Sequence, residues 1–333
     1  MVFQARDKTD RRWLANWRSW FVGFFAIAVL TFFILHIAEL EIFAQLVKRA
    51  EPFWLLLAFA LQILTYASVA SGWSVVLRVA GSPQPLPKLI RIAISKLFAD
   101  QAMPSAGMGG NILLIDQLVV AGVQRSNAIA ALLISMIGFY IAFALMAMTM
   151  LVFLFFDHKA TPLIAGLVSI FLIIAFAIPA LALWLRHRGS EVLPSRIERI
   201  GFIRNLLELM ADAPSSLMNN RILLAKVTGF NVIVFLADVA TLWVCLLALG
   251  ETSALSAVFI ALIMAQIVAT IGPIPLGLGS FEATSTAMLH LLGMPVESAF
   301  AGTMLLRLFT MWLPMLPGLF LLRKTLHHGE YSA

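Results

Sequence analysis

Two apolar stretches, each broken in the middle by glycine and proline, constrain this chain more than any other feature. The first covers 86–123 and is interrupted by Pro104–Gly110 (PSAGMGG); the second covers 256–292 and is interrupted by Gly272–Ser280 (GPIPLGLGS). At a helical rise of about 1.5 Å per residue, Asn111–Val123 reaches about 20 Å and Phe281–Leu292 about 18 Å, short of a hydrocarbon core about 30 Å thick. The spacing therefore predicts two re-entrant helical hairpins whose tips stop inside a membrane. Irregular backbone at that depth survives only where it is buried in protein or lines a wet cavity.

Around the broken stretches lie six longer apolar runs, at Trp20–Ala38, Pro52–Leu77, Asn127–Phe156, Ala160–Leu185, Val227–Leu249 and Val296–Leu322. Of the 333 residues, 61% are hydrophobic and only 12% are charged, about half the charge of an ordinary soluble domain. That excludes a soluble enzyme, a nucleic-acid binder and a disordered tail. The expected fold class is an all-α integral membrane bundle of about six full spans plus two re-entrant hairpins in an inverted-topology repeat. Residues 1–19 read as a cytoplasmic N-terminal segment, 20–325 as the transmembrane domain and 326–333 as a cytoplasmic tail. The first run is too long for a cleavable signal and no Ala-x-Ala site follows it, so it reads as a signal anchor.

Charge orients the bundle. With the N-terminus inside, all of the 23 basic residues except Lys48, Arg49, Lys159 and Arg307 fall on the cytoplasmic side, as the positive-inside rule asks. Outer loops instead hold Glu39, Glu41, Glu51, Asp157, Glu251 and Glu297. The first hairpin then enters from the cytoplasm and the second from outside. The expected location is a bacterial inner membrane, crossed several times, with both termini cytoplasmic. In the cytoplasmic loop 186–226, Ile197, Ile200, Ile203, Leu207 and Met210 recur at helical spacing among Arg196, Arg199 and Arg204. This is the pattern of an amphipathic helix on an anionic leaflet.

A single cysteine, Cys245, rules out an internal disulfide and a thiolate cluster. The six histidines show no zinc-binding spacing, and no Walker A loop is present. The sequence thus calls for no metal, no cofactor and no ATP hydrolysis.

The two broken stretches also resemble each other. Gly107-Met-Gly109 is followed by Gly122 and then by Ala128-Ile-Ala130; Gly277-Leu-Gly279 is followed by Gly293 and then by Ala299-Phe-Ala301. Each unit has a proline before its first glycine and leads into a long apolar span. Entry from opposite faces would relate the units by a pseudo-two-fold axis in the membrane plane, a layout common among secondary transporters.

Pro104–Gly110 and Pro273–Glu282 (PIPLGLGSFE), with Arg307 in the following span, resemble the lysylphosphatidylglycerol synthase transmembrane-region family. This is the flippase-like portion of the multiple peptide resistance factor, which also occurs as stand-alone membrane proteins. The likeness runs from about residue 20 to 325. It implies an all-helical bundle with two re-entrant hairpins that moves a lipid between leaflets. The soluble aminoacyl-transferase half of the fused proteins has no counterpart here, so lysyl transfer does not carry over.

The residues suggest where a lipid would bind. The second arm of a re-entrant hairpin starts at the tip, and its N-terminal amides and positive dipole end form an anion site. The candidates are Gly107, Gly109, Gly110 and Asn111 on one hairpin and Gly277, Gly279 and Ser280 on the other. The same glycines also suit a tight turn and close helix packing, and both readings stay open. Charged groups within a membrane are costly, which singles out Glu282 and Arg307 as an expected pair beside the second tip. Asp238 and Asp116 are candidates for proton or ion coupling. Lys96 and Arg91 would draw anionic headgroups from the inner leaflet.

The function expected is a lipid translocase that moves a phospholipid or related amphiphile without its own ATP hydrolysis. Its partners are then membrane lipids, anionic or phosphate-bearing, with no nucleic acid; a homodimer stays open. One alternative is an intramembrane lipid-modifying enzyme, with Glu282, Asp238 and Arg307 as acid, base and phosphate clamp. Against it, His290 sits on a short arm with no Ser-His-Asp pattern, and no catalytic residue is named. Another is a non-catalytic subunit of a membrane-lipid, hopanoid or glycolipid pathway.

Overall fold

In a computed structural model of the chain, the residues described are 48, 50–102, 108–156, 166–173, 175–177, 214–272, 277–315 and 317. Among them every regular element is helical. Helix α1 (Pro52–Val79) begins on a proline, whose missing N–H costs nothing at a first helical position. Then come α2 (Leu86–Ala102), α3 (Met108–Val120), α4 (Arg125–Phe156), the single turn α5 (Ser215–Met218), α6 (Arg221–Ala248), α7 (Leu255–Ile271), α8 (Ser280–Leu291) and α9 (Val296–Arg307). Segments 166–173 and 175–177 are also helical. The α6 start is capped by Asn220, whose side chain accepts from the Leu223 amide at 3.0 Å.

Three of these helices, α1, α4 and α6, are long and apolar enough to cross a membrane. Of their polar side chains, Gln62, Thr65 and Ser68 of α1 turn inward. Their outer faces expose Leu56, Ile63, Val152, Phe155, Phe156 and Ile222, a surface that water would not tolerate and lipid would. Helix α6 is the hub, packing against α1, α4, α7 and α9. Small residues set its distances: a methyl added at Gly138 would meet Val227 Cγ1 at 3.0 Å and the Thr228 nitrogen at 3.2 Å, so a larger residue there would press α4 and α6 apart by a few tenths of an ångström.

The interior divides into two apolar clusters, one around each of two helical hairpins. Trp73, Leu89, Leu114, Leu118 and Ile129 surround α2–α3; Phe143, Leu242, Leu262, Leu289 and Leu306 surround α7–α8. The hairpins end alike. At Gly122 φ is +89° and at Gly293 it is +106°, the left-handed region that glycine enters without penalty. Val123 N–H donates to the Leu118 carbonyl at 3.0 Å, and Met294 N–H to the Leu289 carbonyl at 3.1 Å, the same helix-ending turn twice. Beyond it Ala128, Ala130, Ala299 and Ala301 are all fully buried.

The structure differs from the sequence reading in several places. Arg221 and Lys226 belong to α6 rather than to the loop 186–226, because the Asn220 cap starts the helix there; the rest of that amphipathic segment up to 213 lies outside the described residues. The run from Val296 does not continue as regular α-helix: directly after Arg307 it widens into a π-turn at Leu308–Trp312. The expected spans at Trp20–Ala38 and most of Ala160–Leu185, with the 1–19 and 326–333 segments, also lie outside the described residues.

Candidate functional site

The second hairpin builds its own electrostatic lock. Glu282 stands in the first turn of α8, and its Oε2 accepts from the Gly279 amide at 2.7 Å, the backbone half of a capping box. Its Oε1 accepts from Arg307 Nε at 2.6 Å, so the pair expected from the sequence is formed. Arg307 also donates from Nη2 to the Gly277 carbonyl at 3.4 Å, and its guanidinium carbon lies 4.2 Å above the Phe281 ring, a cation–π contact. Ser280 Oγ donates to the same Gly277 carbonyl at 3.1 Å. The side chains of Arg307 and Glu282 are only 13% and 11% exposed, so breaking the pair would leave a desolvated charge behind.

The first hairpin repeats the chemistry with different parts. Asp100, near the end of α2, accepts from the Gly110 amide at 3.1 Å and from Lys96 Nζ at 2.6 Å. A Cβ at Gly110 would run into the Asp100 carboxylate and the Lys96 carbonyl, which is why the close approach needs glycine. Both hairpins therefore satisfy an amide at the start of the returning arm with a carboxylate of the chain, itself paired to a base. This sharpens the expectation of free tip amides as an anion site: the Gly110 and Gly279 amides are already occupied.

Between the hairpins lies a cavity of about 370 Å³. Gln101 from the end of α2 and Gly277 from the second tip both reach its wall, with Arg307, Asp238, Gln266 and Thr310. Phe139, Phe143, Phe235 and Phe281 supply an apolar side, so the space is amphipathic. The π-turn contributes Thr310 and Met311; such widened turns recur at functional sites. Asp238 is held by Gln62 of α1, whose Nε2 donates to Asp238 Oδ1 and to Thr241 Oγ1, each at 3.1 Å. Asn231 does not join this group, since its Nδ2 donates back to the Val227 carbonyl at 2.9 Å.

Of the residues singled out from sequence, Gly277, Asp238 and Arg307 line the cavity, with Glu282 and Gly279 bonded behind Arg307. Lys96 is tied to Asp100. Arg91 and Asp116 are exposed on α2 and α3 and do not line the cavity. Asn111 and Gly109 are half-buried near the start of α3, and Gly107 lies outside the described residues. His290 Nδ1 sits 2.9 Å from the Met294 carbonyl, in the loop after α8. Sequence reasoning passed over Gln62, Gln266, Thr270 and Thr310. The available signal was a lone glutamine in each of two apolar helices, where a polar side chain needs a reason.

Comparison with known proteins places the chain among membrane proteins. The family described as Lysylphosphatidylglycerol synthase TM region matches residues 20–318. A UPF0104 membrane protein of Pyrococcus horikoshii is 24% identical over 319 residues, covering 89% of this chain and 94% of that relative. The chain therefore belongs to the lysylphosphatidylglycerol synthase transmembrane-region family, a family of membrane proteins.

Proposed function

We propose that this protein is a lipid translocase, carrying a phospholipid or related amphiphile between leaflets without hydrolysing ATP. The observation that carries the reading is the amphipathic cavity shared by both hairpins, with Arg307 in its wall and Phe281 beside it. A phosphate would face the guanidinium while apolar groups lie along the phenylalanines. Such a passage needs no covalent step, and no residue is assigned a catalytic role.

In this reading the hairpins are re-entrant, entering an inner membrane from opposite faces, with both chain termini cytoplasmic. Arm lengths support it: α2 and α3 have 17 and 13 residues, and α7 and α8 have 17 and 12. At about 1.5 Å per residue these reach about 18–26 Å, less than a hydrocarbon core. The matched glycine turns, buried Ala-x-Ala segments and carboxylate locks support an inverted repeat, with the binding site at the repeat interface. Asp238, fixed by Gln62 in the same cavity, is the candidate coupling group.

The test is leaflet exchange of fluorescent lipids in vesicles containing the purified protein. Exchange should exceed that of vesicles with Arg307→Ala or Glu282→Gln protein by about tenfold or more, since each removes a charge-assisted contact worth about 1.5–3 kcal/mol. Equal rates would overturn the reading.

A further inference from the structure

The cavity wall holds oxygen lone pairs that the protein leaves unused. Gln101 Oε1 and Gln266 Oε1 are buried atoms with no hydrogen-bond partner, and both residues line the cavity from different helices, α2 and α7. A buried acceptor left unmet is unfavourable and calls for a donor from somewhere. Thr270 and Thr310 line the same space. Each already uses its single hydroxyl hydrogen on its own helix, Thr270 toward the Gln266 carbonyl at 2.7 Å and Thr310 toward the Leu306 carbonyl at 2.9 Å. What remains to such an oxygen is its lone pairs. The Asp238 carboxylate adds further acceptor capacity. A glutamine amide can turn over to offer N–H instead, but the threonines cannot become donors without breaking bonds they make.

An acceptor-rich wall beside one guanidinium has a defined complement. We propose that the cavity selects lipids whose headgroup brings hydrogen-bond donors, as hydroxyls or a primary amine next to the phosphate, over lipids whose headgroup has none. Gln101, Gln266, Thr270 and Thr310 set the preference, and Arg307 holds the phosphate common to all. The inference rests on the translocase reading and adds to it the class of headgroup. A quaternary ammonium headgroup carries the same charges as a primary amine but no N–H, so it would strand every one of these acceptors.

The experiment compares three lipids bearing the same acyl-chain fluorophore in vesicles with the full-length protein: phosphatidylethanolamine, phosphatidylglycerol and phosphatidylcholine. Exchange is read as the loss of protection from an impermeant quencher. The expected result is that phosphatidylethanolamine, phosphatidylglycerol or both exchange about tenfold faster than phosphatidylcholine, roughly the factor one net hydrogen bond supplies. Which of the two leads identifies the donor as amine or hydroxyl. The Gln101→Leu, Gln266→Leu double variant should bring the ratio near one, and Thr270→Val, which keeps the side-chain shape, should narrow it. Equal wild-type rates for all three lipids, above protein-free vesicles, overturn the headgroup inference and leave translocation standing. A preference that survives in every variant overturns its assignment to these residues. No exchange above protein-free vesicles overturns the translocase reading and this inference with it.

Discussion

The hairpins α2–α3 and α7–α8 solve one problem in two ways. Each must satisfy the start of a short returning helix, and each does so with a carboxylate paired to a base. In the first hairpin acid and base sit one turn apart on the entering arm, Lys96 and Asp100, with side chains 23% and 22% exposed. That lock is closed within the hairpin. In the second, the acid stands on the returning arm and the base comes from the next helix, so Glu282–Arg307 ties the hairpin to α9 and to the cavity wall. The second lock is thus both the more buried and the one that opens on the cavity.

Removing the second lock's acid tests this asymmetry. Glu282→Gln removes a counter-charge from a buried guanidinium, a loss of about 3–5 kcal/mol, and should lower the unfolding temperature in detergent sharply. Asp100→Asn removes a partly exposed pair and a cap, about 1 kcal/mol. A larger shift for Asp100→Asn would break the comparison.

Next in size come the matched turns. Gly122→Ala and Gly293→Ala each force a side chain into the left-handed region, at about 1–2 kcal/mol. Thermal unfolding should show nearly equal losses. Unequal ones would mean that the two hairpin ends are alike in shape but not in what they support.

An exposed acid of the first hairpin serves as the control. Asp116 is exposed on α3, away from the cavity, so Asp116→Asn should change stability by no more than about 0.5 kcal/mol and leave lipid exchange at the wild-type rate. A large fall in exchange would give the exposed face of α3, and not only Gln101 at the end of α2, a direct part in transport.

The second lock was legible in the sequence because a carboxylate and a guanidinium so deep in apolar sequence have few options besides each other. The first was not. By residue type Lys96 reads, with Arg91, as a base for anionic headgroups, and nothing in the linear order says that Asp100 pairs with it and turns toward the Gly110 amide ten residues on. Gln266 illustrates a different gap: its side-chain oxygen is buried without a partner, and it lies in the cavity wall.

Legible in the linear order were the helical, membrane-borne character, the places where the apolar helices break, and the glycine pattern that the two broken stretches share. Those properties are local: run length, hydropathy and glycine spacing act within a few turns of helix. Tertiary packing alone fixes which amides the carboxylates cap, that Gln62 of α1 holds Asp238 of α6, and that Gln101, Gln266 and Arg307 share one cavity. Those depend on helix rotation and approach, which are set by packing between segments far apart in the chain and leave no trace in any single stretch of residues.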